Sequence, residues 1–122
     1  MARYVFAVRF RVEPSRDVTV DPDEFETRLR REAAPPGDPG WLFFRDNLWR
    51  GELADDAHFR TLVADALGVT VLDVDYRAFE LTESELAALR DALAADLDAF
   101  RAASVDEALN KYFGSSLEVQ SE

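Results

Sequence analysis

A nine-residue segment near the start of the chain, residues 4–12, alternates strictly between two sets of side chains. Successive side chains of a β-strand point to opposite faces, so this period of two predicts a strand with one face in a core. The other face carries arginines, and we expect it to point away from the helices. The core set is Tyr4, Phe6, Val8, Phe10 and Val12, and the opposite set is Val5, Ala7, Arg9 and Arg11.

The length of the chain, 122 residues, is that of one ordinary domain. Apolar residues make up 48% of it, which is enough for a single hydrophobic core. We therefore expect one domain over residues 1–122, with a core unit at 1–81 and a C-terminal helical extension at 82–122.

The charge is strongly acidic, with 25 Asp and Glu against 14 basic residues and a net charge of −11. Lys111 is the only lysine. Repulsion of this size is screened in concentrated salt, where the Debye length falls to about 3 Å at 1 M. The composition therefore predicts a protein adapted to a salt-rich cytoplasm.

Cysteine is absent from the sequence, which excludes disulfides, thiolate metal sites and cysteine nucleophiles. Arg9 and Arg11 interrupt the apolar N-terminal segment, and no stretch is long and apolar enough to span a membrane. We therefore expect a soluble, cytoplasmic protein without a membrane partner.

Residues 21–24, with the sequence DPDE, have the pattern of a helix start: an N-cap aspartate, a proline and acids in the first turn. We predict a first helix that runs to about Ala33 with Phe25 and Leu29 inward. The proline- and glycine-rich residues 35–40 form a connector.

Residues 41–53 predict a β-hairpin that turns at Asp46 and Asn47, since both residue types tolerate positive φ. Asp55 then caps a second helix, which Gly68 ends. Residues 69–81 read as a fourth strand. The apolar face of the second helix is Phe59, Leu62, Val63, Ala66 and Leu67.

A long helix begins after Thr82, which forms a capping box with Glu85. Its apolar stripe must pack either within the chain or against another copy of it. Ser104 starts a further short helix that Gly114 ends, and residues 115–119 predict a short final strand. The stripe consists of Leu86, Leu89, Leu93, Leu97 and Phe100.

The order β-α-β-β-α-β matches the ferredoxin-like fold, an antiparallel sheet with two helices on one face. We therefore predict an α+β protein in which strand four and the strand LWRGEL, residues 48–53, flank strand one. The long helix, the short helix and the final strand follow as a C-terminal addition.

The arginines admit two interpretations. In the first, Arg9 and Arg11 lie near Asp73 and Asp75 of strand four, and opposite charges across strands stabilise and register the sheet. In the second, arginines and aromatic residues of the sheet bind RNA or a small anion. The candidate anion contacts are Arg9, Arg11, Arg45, Arg50 and Arg77, and the candidate stacking residues are Trp41 and Phe43.

Salt limits the second interpretation, because affinity from phosphate contacts falls steeply as salt rises. Stacking would have to supply most of the binding energy. Trp49 is the obvious stacking residue, but strand parity predicts that it lies in the core with Leu53.

Catalytic patterns are weak. His58 is the only histidine and is predicted on the surface of the second helix, while Ser115 and Ser116 lack a nucleophile-elbow motif. The pair Asp73 and Asp75 lacks the glycine and glutamate of a calcium loop. We predict no catalytic residue, metal or cofactor.

The tripeptide LWR at residues 48–50 and the segment KYFGSS at 111–116 resemble the LWR-salt proteins, a small family of halophilic archaea. The likeness extends over essentially the whole chain. The resemblance implies a haloarchaeal cytosolic protein, and it implies no activity, cofactor or site residue.

Two functions remain open on the sequence. One is protein association, with a second copy or an unknown partner, through the Leu86 to Phe100 stripe or a sheet edge. The alternative is a module that binds RNA or a small anion through the arginine and aromatic residues.

Overall fold

A four-stranded mixed sheet forms the centre of the structure, a computed structural model that describes residues 2–13, 17–19 and 21–121. Its strands are β1 (Arg3–Arg11), β2 (Glu24–Glu32), β5 (Thr70–Thr82) and β6 (Leu117–Gln120), in the order β2-β1-β5-β6. A small hairpin is made by β3 (Leu48–Trp49) and β4 (Glu52–Leu53). The helices are α1 (Phe43–Asn47), α2 (Asp56–Leu67), α3 (Glu83–Ala94) and α4 (Val105–Phe113), with a 3₁₀ turn at Leu97–Phe100.

The predicted first strand is confirmed as β1, which pairs antiparallel with both β2 and β5. Tyr4, Phe6 and Val8 are buried in the core, and Arg9 and Arg11 are exposed on the opposite face. The alternation of the sequence therefore places both faces of this strand correctly.

The predicted first helix is wrong, because residues 24–32 form the edge strand β2. Phe25 and Leu29 have helical spacing, but Phe25, Thr27 and Leu29 also alternate as a strand does. All nine residues pair with β1, from Glu24 opposite Arg11 to Glu32 opposite Arg3. Residues 24–32 form a strand rather than a helix because they pair with the antiparallel edge of β1.

The predicted hairpin at 41–53 is only partly correct. Its first arm is the short helix α1, in which Phe44 is buried, and its turn lies at Arg50 and Gly51 rather than at Asp46 and Asn47. Arg50 and Gly51 have φ of 52° and 82°. A two-residue type I′ turn requires positive φ at both central positions, so this pair satisfies it.

Helix α2 and strand β5 agree with the predictions. The Asp55 carboxylate accepts a hydrogen bond from the His58 N–H at 3.0 Å, and Gly68 ends the helix with φ of 70°. Phe59 and Val63 are buried, whereas Leu62 and Leu67 are exposed. One side of the predicted apolar face thus points to solvent.

The long helix is shorter than predicted, since α3 ends at Ala94 and the chain continues into the 3₁₀ turn. Its capping box is confirmed: the Glu85 N–H donates to Thr82 Oγ1 at 3.2 Å, and the Thr82 N–H donates to Glu85 Oε1 at 2.9 Å. Helix α4 begins at the predicted cap, Ser104, and ends at Gly114.

The apolar stripe packs within the chain. Leu89, Leu93 and Phe100 belong to the hydrophobic core and are at most 6% exposed, while Leu86 and Leu97 are half-buried. Leu86, Leu89, Leu93 and Phe100 pack against the hydrophobic core, so most of the predicted association stripe is used within the chain.

The α+β class is confirmed, but the ferredoxin-like strand order is not. The segment LWRGEL lies outside the main sheet, and β6 joins the edge of β5 as a parallel strand. The buried residues of all four helices form one core with Tyr4, Phe6 and Val8. Within the described residues, no helix covers the other side of the sheet, which we call the open face.

Candidate binding site around Trp49

The predicted arginine and aromatic residues do not form one surface, although Trp41, Phe43 and Arg45 line a common depression at α1. The ring of Phe43 lies 4.6 Å from that of Tyr4, and the ring of Trp41 lies 6.1 Å from that of Phe100, so both pack on the helix side of the sheet. Their separation from the sheet arginines follows from the wrong assignment of residues 41–45 to a strand, since residues 43–47 form α1. The guanidinium groups of Arg9, Arg11 and Arg77 lie on the open face, and Arg45 pairs with Asp46 in α1 at 3.4 Å.

The open face carries alternating charge, but only part of the pairing that the first interpretation predicted. Arg9 lies opposite Asp73 of β5 with no carboxylate within 4.0 Å among the described side chains, and Arg77 Nη2 is 3.6 Å from Asp75 Oδ2. Arg11 instead pairs with Glu24 of β2 at 3.6 Å. Exposed pairs of this kind contribute about 0–1 kcal/mol each, so they mainly set register and solubility.

Trp49 is 47% exposed, which corrects its predicted place in the core. Its neighbour Leu48 is the buried residue of this strand, at 2% exposure. Strand parity places Trp49 in the core only if its strand lies in the main sheet, and β3 belongs to the small hairpin. The structure thus places an indole ring at the surface beside Arg50.

The hairpin turn is bound to the C-terminal end of α4. The Arg50 N–H donates to the Lys111 carbonyl at 2.8 Å, and the Gly51 N–H donates to the Tyr112 carbonyl at 2.9 Å. The last carbonyls of a helix have no intrahelical donor, so the turn satisfies two of them. This pairing holds Arg50 in a left-handed conformation that non-glycine residues rarely adopt.

Two glycines let the backbones approach this closely. A Cβ atom on Gly51 would lie 2.8 Å from the Phe113 carbonyl oxygen, and one on Gly114 would lie 2.7 Å from the Arg50 carbonyl oxygen. No side chain fits at either contact. The hairpin that carries Trp49 therefore packs directly, backbone against backbone, on the C-terminal end of α4.

Two cations lie beside the exposed indole. The Arg50 guanidinium carbon is 5.6 Å and Lys111 Nζ is 5.9 Å from the centre of the Trp49 ring. Lys111 Nζ also donates to the Phe100 carbonyl at 2.9 Å, which fixes its position. Among the described residues, neither cation has a carboxylate within 4.0 Å.

The surface depression next to Trp49 is completed by Glu107, Asn110 and Gly114. The Asn110 amide can both donate and accept hydrogen bonds, and the Glu107 carboxylate can accept them. The site thus combines an aromatic ring, two cations and two polar side chains within one concave area.

The side chains whose pKa is shifted lie outside the Trp49 site and take part in core packing or helix capping. Burial raises the pKa of Tyr4 and of Tyr76, and the Tyr76 hydroxyl is 2.8 Å from Ser116 Oγ. Burial also pushes the pKa of Glu85 upward, but hydrogen bonds from Thr82 and Ala2, together with nearby positive charge, hold that pKa below its usual value.

The residues around Trp49 give little support for a catalytic function. His58 is exposed on α2, as predicted, and is absent from the residues that line the Trp49 site. In the part of the chain that the structure describes, no group of three His, Asp or Glu residues could hold a metal ion. None of the described helices has the length and apolar character needed to cross a bilayer.

Sequence reasoning missed Glu107, Asn110 and Lys111 as site residues. One available signal was the single lysine in a chain rich in arginine, and another was the Arg-Gly pair, which fits a type I′ turn better than Asp-Asn does because glycine tolerates positive φ. Neither signal reveals that the end of α4 meets the hairpin, which is a long-range contact.

The fold and site define a small α+β protein with one helical layer, an open sheet face and a surface site around a tryptophan whose hairpin is hydrogen-bonded to α4. The chain belongs to the LWR-salt protein family, whose sequence model matches residues 1–122. The two segments that carried the resemblance, LWR and KYFGSS, are the two that contact each other beneath Trp49. No curated protein and no solved structure matches the chain.

Proposed function

We propose that this protein is a non-enzymatic binding module whose Trp49 site takes a nucleotide unit, free or within single-stranded RNA. The observation that carries the proposal is the half-exposed indole of Trp49 with two unpaired cations, Arg50 and Lys111, within 5.6 and 5.9 Å of its centre. A nucleotide joins a flat base, which stacks on aromatic rings, to a phosphate, which cations bind.

The same arrangement suits the concentrated salt that the composition predicts. Stacking of a base on an aromatic side chain contributes about 1–3 kcal/mol and involves no release of counterions. Only Arg50 and Lys111 would contact phosphate. With about −0.7 per phosphate contact on single strands, the logarithmic salt slope would be about −1.4.

The polar residues at the rim give the site a means of reading the ligand. Asn110 can form paired hydrogen bonds with a base edge, and Glu107 can accept from a ribose hydroxyl or an exocyclic amine. Glu107 Oε2 already accepts from the Ala103 N–H at 3.3 Å, which holds the side chain in place.

We expect Trp49→Ala to weaken binding of a fluorescently labelled oligouridylate by about 5- to 150-fold, the equivalent of one lost stacking contact. Fluorescence anisotropy in dilute and in molar KCl measures it. Phe25→Ala is the matched control, because it removes an aromatic ring with 39% exposure from the remote strand β2. This control variant should bind as the parent protein does.

Competition by adenosine monophosphate separates the two sources of the nucleotide unit. If the mononucleotide displaces the labelled RNA, a free nucleotide suffices; if only oligonucleotides do, the ligand is RNA. Equal affinity of Trp49→Ala and the control, or no binding at either salt concentration, would refute the proposal.

A second candidate function is self-association through β6, the short strand at one edge of the sheet. Within the described residues β6 pairs only with β5, and its Val119 is 47% exposed. A second copy could add its own β6 to this edge about a two-fold axis. The other edge, β2, carries six charged side chains in nine residues, which discourages pairing.

We expect Val119→Lys to raise the dissociation constant of such a dimer at least about tenfold, because the new charge loses solvation at the joined edge. Sedimentation velocity in molar KCl over a range of protein concentrations measures it. Val18→Lys, at a valine that is 55% exposed, is the control. A parent protein that stays monomeric at every concentration would contradict self-association.

A further inference from the structure

The open face has a regular pattern of charge that follows from strand register. Arg9 of β1 lies between Glu26 of β2 and Asp73 of β5, and Arg3 lies between two glutamates in the same way. Each of these β1 arginines thus has an acidic residue on both neighbouring strands. Each of these rows therefore contains one more acid than arginine and has no surplus of positive charge.

The two rows in the middle of the face break this pattern. Arg28 of β2 lies opposite Ala7, beyond which β5 carries Asp75, and Arg30 lies opposite Val5, beyond which β5 carries Ala78. Arg28 has no carboxylate within 4.0 Å among the described side chains. Arg30 Nε is 3.5 Å from Glu80, but a second arginine already holds that carboxylate at 3.1 Å.

A depression lies between these arginines and the next strand. Its floor consists of Val5 and Ala78, which are each 4% exposed although they lie outside the hydrophobic core cluster. Arg77 forms the far wall, opposite β2, where an irregularity in β5 leaves it without a partner on β1. Small side chains at the floor thus leave open space among three arginines.

Two acids also line this depression, Glu118 of β6 and the glutamate shared by two arginines. Arg77 in addition lies 3.6 Å from Asp75, outside the depression. The three lining arginines outnumber the two lining acids in a protein whose net charge is −11. This is therefore a local basic area on an acidic surface.

We infer that the centre of the open face is a binding site for a small oxoanion, held by Arg28, Arg30 and Arg77 above Val5 and Ala78. Guanidinium groups present paired N–H donors whose spacing matches two oxygens of a phosphate or carboxylate. Chloride has no such pair of acceptors, so an oxoanion can be selected even in concentrated chloride. The site is independent of the Trp49 site and rests on different residues.

Titration of the protein with inorganic phosphate in molar KCl, followed by amide and arginine Nε–H signals in nuclear magnetic resonance, tests the inference. We expect saturable shifts at Val5, Ala78 and Arg28. Arg28→Ala should raise the dissociation constant at least about tenfold, as loss of a charged hydrogen bond does. Arg28→Lys keeps the charge without the paired donors, so its dissociation constant should lie between those of the parent protein and Arg28→Ala.

Arg90→Ala is the matched control, because Arg90 is an exposed arginine on α3 that pairs with Asp106 at 2.9 Å. It should bind phosphate as the parent does, and so should Trp49→Ala. The inference would be overturned by equal binding in Arg28→Ala and the control, by shifts spread evenly over all exposed arginines, or by loss of phosphate binding in Trp49→Ala.

Discussion

Gly114→Ala is expected to lower the free energy of unfolding by about 2–5 kcal/mol. Gly114 has φ of 58°, which strains any residue with a Cβ atom. The new Cβ would also lie 2.7 Å from the Arg50 carbonyl oxygen and 2.9 Å from its carbonyl carbon, so one backbone must move. That movement would separate the hairpin turn from α4.

Chemical denaturation in molar KCl measures this loss. Gly37→Ala is the control, because Gly37 has φ of 91° and a Cβ atom there meets nothing within 4 Å. The control variant has the backbone strain without the clash, so its free energy of unfolding is expected to fall by only about 1–2 kcal/mol. Equal losses in the two variants would show that the hairpin and α4 are not in backbone contact.

Phe44→Ala is expected to lower the free energy of unfolding by about 3–5 kcal/mol, as truncation of a buried phenylalanine does. Phe44 is 1% exposed, and its ring centre lies 5.0 Å from that of Phe113 and 5.9 Å from that of Phe100. It joins α1 to the 3₁₀ turn and to α4. Its removal leaves a cavity at the point where these three elements meet.

The same substitution at Phe25 is the control for Phe44→Ala. Phe25 is 39% exposed on the edge strand β2, so a loss of about 1 kcal/mol or less is expected. Thermal or chemical unfolding of both variants under one salt condition gives the comparison. Similar losses at the two positions would contradict the burial of Phe44 and the helical assignment of residues 43–47.

Elements with a local signature could be predicted from the sequence. Alternation identified β1, and the caps at Asp55, Thr82 and Ser104 identified the starts of three helices. The reason is that a cap satisfies backbone donors within its own turn, so no distant residue is needed. The charged open face followed from the same alternation, since Arg9 and Arg11 could not share the aromatic side of β1.

Elements that depend on a distant partner could not be predicted in this way. Residues 24–32 fit a helix and a strand about equally well, and only the free edge of β1 selects the strand. The exposure of Trp49 likewise depends on the docking of its hairpin against Lys111 and Tyr112, more than sixty positions later in the chain. The candidate site was therefore seen in part, through Arg50, and its remaining residues required the fold.

The central proposal, that Trp49 is the contact for a nucleotide unit, is tested most directly by the indole N–H signals of the two tryptophans. Trp41 is packed against the core and serves as an internal reference, and Trp41→Phe assigns the two signals. During titration with oligouridylate in molar KCl, the Trp49 indole signal should shift saturably, together with the Asn110 side-chain amide, while the Trp41 signal stays in place. An unmoved Trp49 signal at saturating RNA, or a shift of Trp41 alone, would contradict the proposal.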